Sequence, residues 1–195
     1  MRRASTLGLA ALAALFLASE AAATSVRVRV EGPTSTLFGA VEPRLGGSRG
    51  SLTALDALAL TRVPFHTQST PDGLYVDRIA QFSSAGTAGW ALKVNGVMQA
   101  TPDRVKLRTG DRLLWYWAQF GIVAGGPPTL ALRRDGACYR VISHDDFGTA
   151  TVASRAVLQV DGRRFATRNG RACLPAHKGL VRATSPQAIR SNALR

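Results

Sequence analysis

Residues 87–119 constrain the fold more than any other segment, because two tight turns there separate arms with strand-like patterning. In GWALKVNGVMQA the Asn95-Gly96 pair favours a two-residue hairpin, since both turn positions need positive φ. That turn places Lys93 opposite Met98. A second turn at residues 110–111 leads into LLWYWA, whose apolar side chains fall on both faces. The segment therefore predicts a hairpin and then a central strand that is covered on both sides.

All three tryptophans of the chain lie in this segment. Trp115 and Trp117 share a face with Leu113, which predicts that these two rings are core residues. Tyr116 points to the opposite face, because successive side chains of a strand alternate. Trp90 begins a strand, where it either caps a pocket at the sheet edge or fills the end of the core over the helix.

A single segment beyond residue 23 predicts a helix. In SLTALDALALTR the apolar residues recur at helical spacing, and Ser51 is the expected N-cap. Before it, SVRVRVEG alternates valine with charged residues, as in a half-buried strand with its valines inward. The resulting order, β-β-α-β-β-β, predicts a β-grasp (ubiquitin-like) roll, in which one helix crosses one face of a mixed sheet.

The rest of the chain predicts a second unit that is all β. The stretch GIVAGGPPT interrupts any regular element, and the short strands beyond it indicate a small sandwich. Cys138 and Cys173 are the only cysteines and are expected to form a disulfide. The predicted organisation is a β-grasp domain at residues 24–121, a linker at 122–128 and an Ig-like β module at 129–195.

The N-terminus has the layout of a secretory signal peptide. Two arginines precede an apolar run from Leu7 to Leu17, and Ala21 and Ala23 then offer an A-x-A cleavage site. The run is shorter than the ~20 apolar residues that a membrane-spanning helix needs. Residues 1–23 are therefore expected to be removed, leaving a secreted or cell-wall-associated chain without a membrane span.

The chain is strongly basic, with a formal net charge of +13. Arginine supplies 22 of its 25 basic residues, and the excess is spread along the sequence without a nucleic-acid fingerprint. Nucleic acid is therefore not an expected partner, although such a charge favours association with polyanions, wall polymers included. A GC-rich genome that encodes its positive charges as arginine is the alternative explanation.

Four motifs in order resemble a known family: TALDALAL, DGLYVDRIAQF, GWALKVNG and RTGDRLLWYW. They make residues 25–120 similar to the C-terminal domain of transcobalamin, and closer still to bacterial stand-alone versions of that domain. The resemblance implies a β-grasp domain related to soluble ligand-binding modules, with cobalamin or another corrinoid as the candidate ligand.

Residues 138–193 resemble, more loosely, the Ig-like or prealbumin-like modules attached to many bacterial surface proteins. The resemblance lies in a Val-Asp-Gly turn and a final Val-x-Ala strand. Such modules usually space or present other domains.

The sheet face opposite the helix is the candidate binding surface. A one-helix roll leaves this face open unless the C-terminal module covers it. Tyr116 with Lys93 and Met98 would then form an amphipathic patch for a planar ligand or a partner chain. Trp90 and Gln119 add a ring and a hydrogen-bonding group. The candidate ligand-binding residues are therefore Trp90, Lys93, Met98, Tyr116 and Gln119.

The sequence gives no pattern typical of an enzyme or a metal site. The nearest cluster is His144-Asp145-Asp146 in SHDDFG, which turn chemistry explains better than catalysis or calcium binding. We therefore expect a non-catalytic module without a cofactor, which binds a small molecule or a cell-surface partner through the open face. The alternative is a structural module held to anionic wall polymer by its basic surface.

Overall fold

The computed structural model describes residues 23–46, 52–121 and 125–195. The predicted signal peptide and the predicted N-cap Ser51 lie outside the described residues. Within these ranges the chain is mainly β, as predicted, with one α-helix. They contain no helix with the length and apolar character that crossing a bilayer requires.

The N-terminal half, residues 23–121, is built from a mixed sheet, a smaller sheet and the helix. Its elements are β1 (Ser25–Glu31), β2 (Thr36–Phe38), β3 (Arg44–Gly46), α1 (Ala54–Leu60), β4 (Phe65–Thr70), β5 (Gly73–Ile79), β6 (Phe82–Ser83), β7 (Ala88–Val94), β8 (Val97–Gln99) and β9 (Arg112–Gln119). The mixed sheet has the order β2-β1-β9-β7-β8, with β3 also paired to β1, and β4-β5-β6 form the smaller sheet.

Parallel pairing of β1 with β9 builds the core of this half. The register sets Val28 beside Leu113 and Val30 beside Trp115, so the predicted inward valines and the ring face of β9 line the same side. These residues pack with Leu58 of α1 in one buried cluster. The core face of both strands was therefore predicted correctly from alternation.

The N-cap of the helix lies two residues beyond the predicted one. The N-cap is Thr53, whose side chain accepts a hydrogen bond from the backbone N–H of Asp56 at 3.1 Å. Asp56 in return accepts one from the backbone N–H of Thr53 at 2.9 Å. This reciprocal capping satisfies two amide groups that a helix N-terminus otherwise leaves unpaired.

The predicted hairpin is confirmed. Asn95 and Gly96 have φ values of 51° and 91°, and β7 pairs with β8 so that Lys93 lies opposite Met98. Asparagine and glycine tolerate this left-handed backbone better than other residues do.

The C-terminal half, residues 125–195, consists of two four-stranded sheets that enclose a second core. Its elements are β10 (Thr129–Asp135), β11 (Cys138–His144), β12 (Ala150–Val152), β13 (Val157–Val160), β14 (Arg163–Ala166), β15 (Arg171–Cys173), β16 (Val181–Thr184) and β17 (Ala193–Leu194). One sheet has the order β10-β11-β12 with β15 on β11, and the other β14-β13-β16-β17. The predicted disulfide is present, joining Cys138 and Cys173 at paired positions of β11 and β15.

The two halves pack against each other through the sheet face that points away from α1. We call it the covered face, defined by Arg29, Glu31, Lys93, Leu114 and Tyr116. All five side chains are buried, with Tyr116 0 % and Lys93 1 % exposed. The expectation of an open face is therefore wrong, because the C-terminal half occupies it.

Candidate functional site

The five predicted site residues do not form one site. Alternation along the paired strands puts Lys93, Met98 and Tyr116 on the covered face. Trp90 and Gln119 belong to the opposite face, where Trp90 is buried in the helix-side core and Gln119 is exposed at the end of β9. The structure thus brings together three of the five residues, and it places those three between the halves.

Tyr116 lies in a small apolar cluster rather than on a surface. Its neighbours there include Leu114 on β9, Met98 and Phe120, and Ile189 of the C-terminal half completes the cluster. The phenol oxygen has no hydrogen-bond partner among the described residues. Burial, together with the negative charge of Asp146, raises the pKa of Tyr116 above its ordinary value of 10.0.

Lys93 crosses from the sheet into the C-terminal half. Its Nζ atom lies 3.1 Å from Oδ1 of Asp146 and donates a hydrogen bond of 2.8 Å to the backbone carbonyl of Asp145. Desolvation lowers the pKa of Lys93, and the Asp146 carboxylate offsets part of that effect. Lys93 is therefore a contact between the halves, with its donors directed to protein oxygens.

Trp90 fills the core on the helix side of the sheet and does not cap a pocket at the sheet edge. Its side chain is 4 % exposed, and its indole N–H donates a hydrogen bond of 2.8 Å to the carbonyl of Phe82. The ring meets Trp117 edge-on, with centroids 5.6 Å apart. The indole ring of Trp90 is therefore packed within the protein, and its N–H group has a hydrogen-bond acceptor there.

A network of ion pairs surrounds two buried glutamates where the halves meet. Glu31, 1 % exposed, is bound by Arg190 at 3.0 Å and also by Arg29 and Arg182. Glu42 is shared by Arg29 and Arg112. Sequence reasoning missed this network, because its arginines come from β1, β9, β16 and the segment after β16.

A cavity of about 270 Å³ opens beside this network, and we call it the interface cleft. Its charged lining residues are Arg29, Glu42, Lys93, Arg112 and Arg133. Leu114 supplies an apolar wall from the covered face, and Asn95, His144 and Asn192 add polar groups. Leu113 and Leu130 also border the cavity, although their side chains belong to the two cores. The volume lies just below the range of roughly 300–1,000 Å³ typical of pockets for drug-sized ligands.

Three arginines stand side by side on the outer face of β10, β11 and β15. Arg133 pairs in register with Arg140, and Arg140 pairs with Arg171. We call these three residues the arginine row. Asp135 bridges Arg140 at 2.9 Å and Arg171 at 2.8 Å, and no ion pair of Arg133 occurs among the described residues. The row therefore presents three positive charges against one carboxylate.

The HDD cluster has turn chemistry, as the sequence indicated. Oδ1 of Asp145 accepts hydrogen bonds from the backbone N–H groups of Phe147 at 2.9 Å and Thr149 at 2.8 Å. Asp146 instead pairs with Lys93, a partnership that the sequence did not reveal. The described residues contain no group of three or more His, Cys, Asp or Glu side chains arranged to hold a metal ion.

Comparison of the chain with models of protein families, with curated proteins and with solved structures found no match.

Proposed function

We propose that this protein is an exported, non-catalytic module that binds an anionic cell-surface polymer through its arginine row. The observation that carries the proposal is the in-register alignment of Arg133, Arg140 and Arg171 on three neighbouring strands. Like charges directly opposite each other destabilise a sheet, and a bound polyanion relieves that repulsion. The row is a fixed array on strands rather than a flexible basic tail.

The charge distribution supports the same surface. Residues 129–195 contain twelve basic and four acidic residues. Two of the four carboxylates, Asp145 and Asp146, are engaged by turn amides and by Lys93, and Asp135 is shared within the row. The C-terminal half thus presents a strongly positive surface, which attracts polyanions over a Debye length of roughly 10 Å.

Ligand binding through the covered face has little support. A corrinoid or a partner chain would have to displace Ile189 from Tyr116 and separate Lys93 from Asp146. Breaking a buried ion pair by removing one partner typically costs about 3–5 kcal/mol. The interface cleft, at about 270 Å³, is suited to a ligand much smaller than a corrinoid.

The β-grasp assignment of residues 24–121 and the resemblance to the transcobalamin C-terminal domain belong to the same proposal. The single helix packed on one face of a mixed sheet supports them, as does the parallel pairing of β1 with β9. The two sheets around one core support an Ig-like module at 129–195. Export is supported by the Cys138–Cys173 disulfide, because disulfides persist in oxidising compartments.

The test is binding of the purified protein to immobilised teichoic acid over a range of KCl concentrations. A triple variant, R133S/R140S/R171S, is compared with R78S/R104S/R108S, which removes the same charge from exposed positions in the N-terminal half. We expect wild-type binding to weaken with salt and the row variant to lose at least tenfold more affinity than the control variant.

Equal losses in the two variants would show that binding reports net charge alone, and the assignment to the row would be wrong. Duplex DNA serves as a competitor. If it displaces the protein at the same phosphate concentration as the polymer does, the assignment to a wall polymer fails.

A further inference from the structure

The interface cleft contains more positive charge than its carboxylates neutralise. The ion-pair network and the cleft together bring six cationic side chains near three carboxylates, an excess of three positive charges. The cations are Arg29, Lys93, Arg112, Arg133, Arg182 and Arg190, and the carboxylates are Glu31, Glu42 and Asp146.

The excess is concentrated on guanidinium groups of the cleft wall. Lys93 is ion-paired with Asp146 and donates hydrogen bonds to the backbone carbonyls of His144 and Asp145, so its charge is already engaged. Glu42 is the one carboxylate in the lining, and Arg29 and Arg112 share it. Arg133 brings a third guanidinium that has no ion pair among the described residues. Three guanidiniums therefore face a cavity with one carboxylate.

Arg29 is the buried member of this group. Its side chain is 4 % exposed, and its Nε atom has no hydrogen-bond partner among the described residues, although Oε1 of Glu42 lies 3.3 Å away. Burial lowers the pKa of Arg29, and Glu31 and Glu42 partly offset that effect. A buried cation with incomplete hydrogen bonding costs free energy that an additional anion in the cleft would reduce.

We infer that the interface cleft binds a single compact anionic group, a phosphate or a carboxylate. The guanidiniums of Arg112 and Arg133 are the expected ligand contacts, because planar forked donors suit the oxygens of either group. Arg29 and Lys93 contribute positive potential from the floor of the cleft. The Leu114 side chain excludes water from one side of the cleft and thereby strengthens the interaction.

The ligand has two sources with the same chemistry. It is either a free small anion or the terminal group of a polymer lying on the arginine row, because Arg133 belongs to both the row and the cleft. The second source rests on the proposed function, whereas the first does not. The two are separated by comparing inorganic phosphate with a glycerol phosphate oligomer that ends in a phosphate.

The experiment is isothermal titration of the full chain with inorganic phosphate at constant ionic strength, followed by backbone amide chemical shifts. We expect saturable binding, with shifts concentrated at residues 95–96, 112–114 and 129–133. R133Q is the main variant, because Arg133 is exposed and its replacement leaves the ion-pair network intact. R112Q is the second, and R108Q is the control at an exposed arginine outside the cleft.

We expect R133Q and R112Q each to weaken phosphate binding at least fivefold, and R108Q to leave it within twofold of wild type. No saturable phosphate or oligomer binding, or an equal loss in R108Q, would overturn the inference. Phosphate binding without teichoic acid binding would support the anion site in the cleft and refute the proposed function. Teichoic acid binding that depends on the arginine row, without binding of phosphate or of the oligomer, would support the proposed function and refute the anion site in the cleft.

Discussion

Glu31 compensates the charge of three arginines that are buried or partly buried between the two halves. It accepts ion pairs from Arg29 on its own strand and from Arg182 and Arg190 in the C-terminal half, while remaining 1 % exposed. Desolvation lowers the pKa of Arg182, with Glu31 offsetting part of the effect. Loss of this carboxylate would leave three guanidiniums partly desolvated and mutually repelling.

The variant E31Q tests this role. We expect its free energy of unfolding to fall by about 3 kcal/mol or more, because removing one partner of a buried ion pair leaves uncompensated charge. The measurement is urea denaturation followed by tryptophan fluorescence. The control is D135N, since Asp135 bridges two arginines at the surface and such pairs contribute about 0–1 kcal/mol. Similar losses in the two variants would contradict a special role for Glu31.

Tyr116 carries a buried hydroxyl that has no hydrogen-bond partner among the described residues. Removal of this hydroxyl should therefore stabilise the protein. We expect Y116F to raise the free energy of unfolding at pH 7 by about 1 kcal/mol. The control Y75F removes a hydroxyl that lies 3.0 Å from the Ser84 hydroxyl, and it should give no gain. A destabilised Y116F would mean that the hydroxyl has a partner.

The same variant has an expected pH dependence. Because the pKa of Tyr116 is raised in the folded state, the unfolded chain loses its proton first as the pH rises above 10.0. The wild type should therefore lose stability above that pH through this group, and Y116F should not. The measured difference in unfolding free energy between the two proteins should widen between pH 9 and pH 11. A free-energy difference that stays constant or narrows over this pH range would contradict a raised pKa of Tyr116 in the folded protein.

For the strands, turns and the alternation of side chains could be predicted from the sequence, but the burial of the second face of the sheet by the C-terminal half could not. The Asn95-Gly96 hairpin and the inward valines of β1 follow from turn chemistry and alternation, which involve neighbouring residues. Burial of Arg29 and Glu31 on the other face of β1 depends on partners far along the chain, such as Arg190. Charged alternating residues usually indicate a solvent-facing side, and in this protein they line a contact between the halves.

The disulfide stabilises the C-terminal half by joining β11 to β15. Cys138 and Cys173 are 35 residues apart, so the chain-entropy estimate of the bridge is about 4 kcal/mol. We expect C138S/C173S to lower the free energy of unfolding by about 2–5 kcal/mol. Denaturation of the wild type with and without reductant provides the matched comparison. Alkylation and mass spectrometry of the unreduced protein should find no free thiol, and two free thiols would contradict the bridge.

Both charged and apolar contacts join the two halves of the molecule. Lys93 meets Asp146, Glu31 meets Arg190, and Ile189 packs against the apolar cluster around Tyr116. The backbone also crosses, since the N–H of Ala193 donates to the carbonyl of Ala40 at 2.7 Å. The covered face is thereby closed to solvent.

Nitration of the folded protein with tetranitromethane, mapped by peptide mass spectrometry, tests this closure most directly. Tyr75 is 36 % exposed, whereas Tyr116 is 0 % and Tyr139 is 1 % exposed. We expect rapid nitration of Tyr75 and no nitration of Tyr116 until the protein is unfolded. Nitration of Tyr116 at a rate close to that of Tyr75 would mean that the face is open in solution, and it would contradict the burial of this face between the two halves.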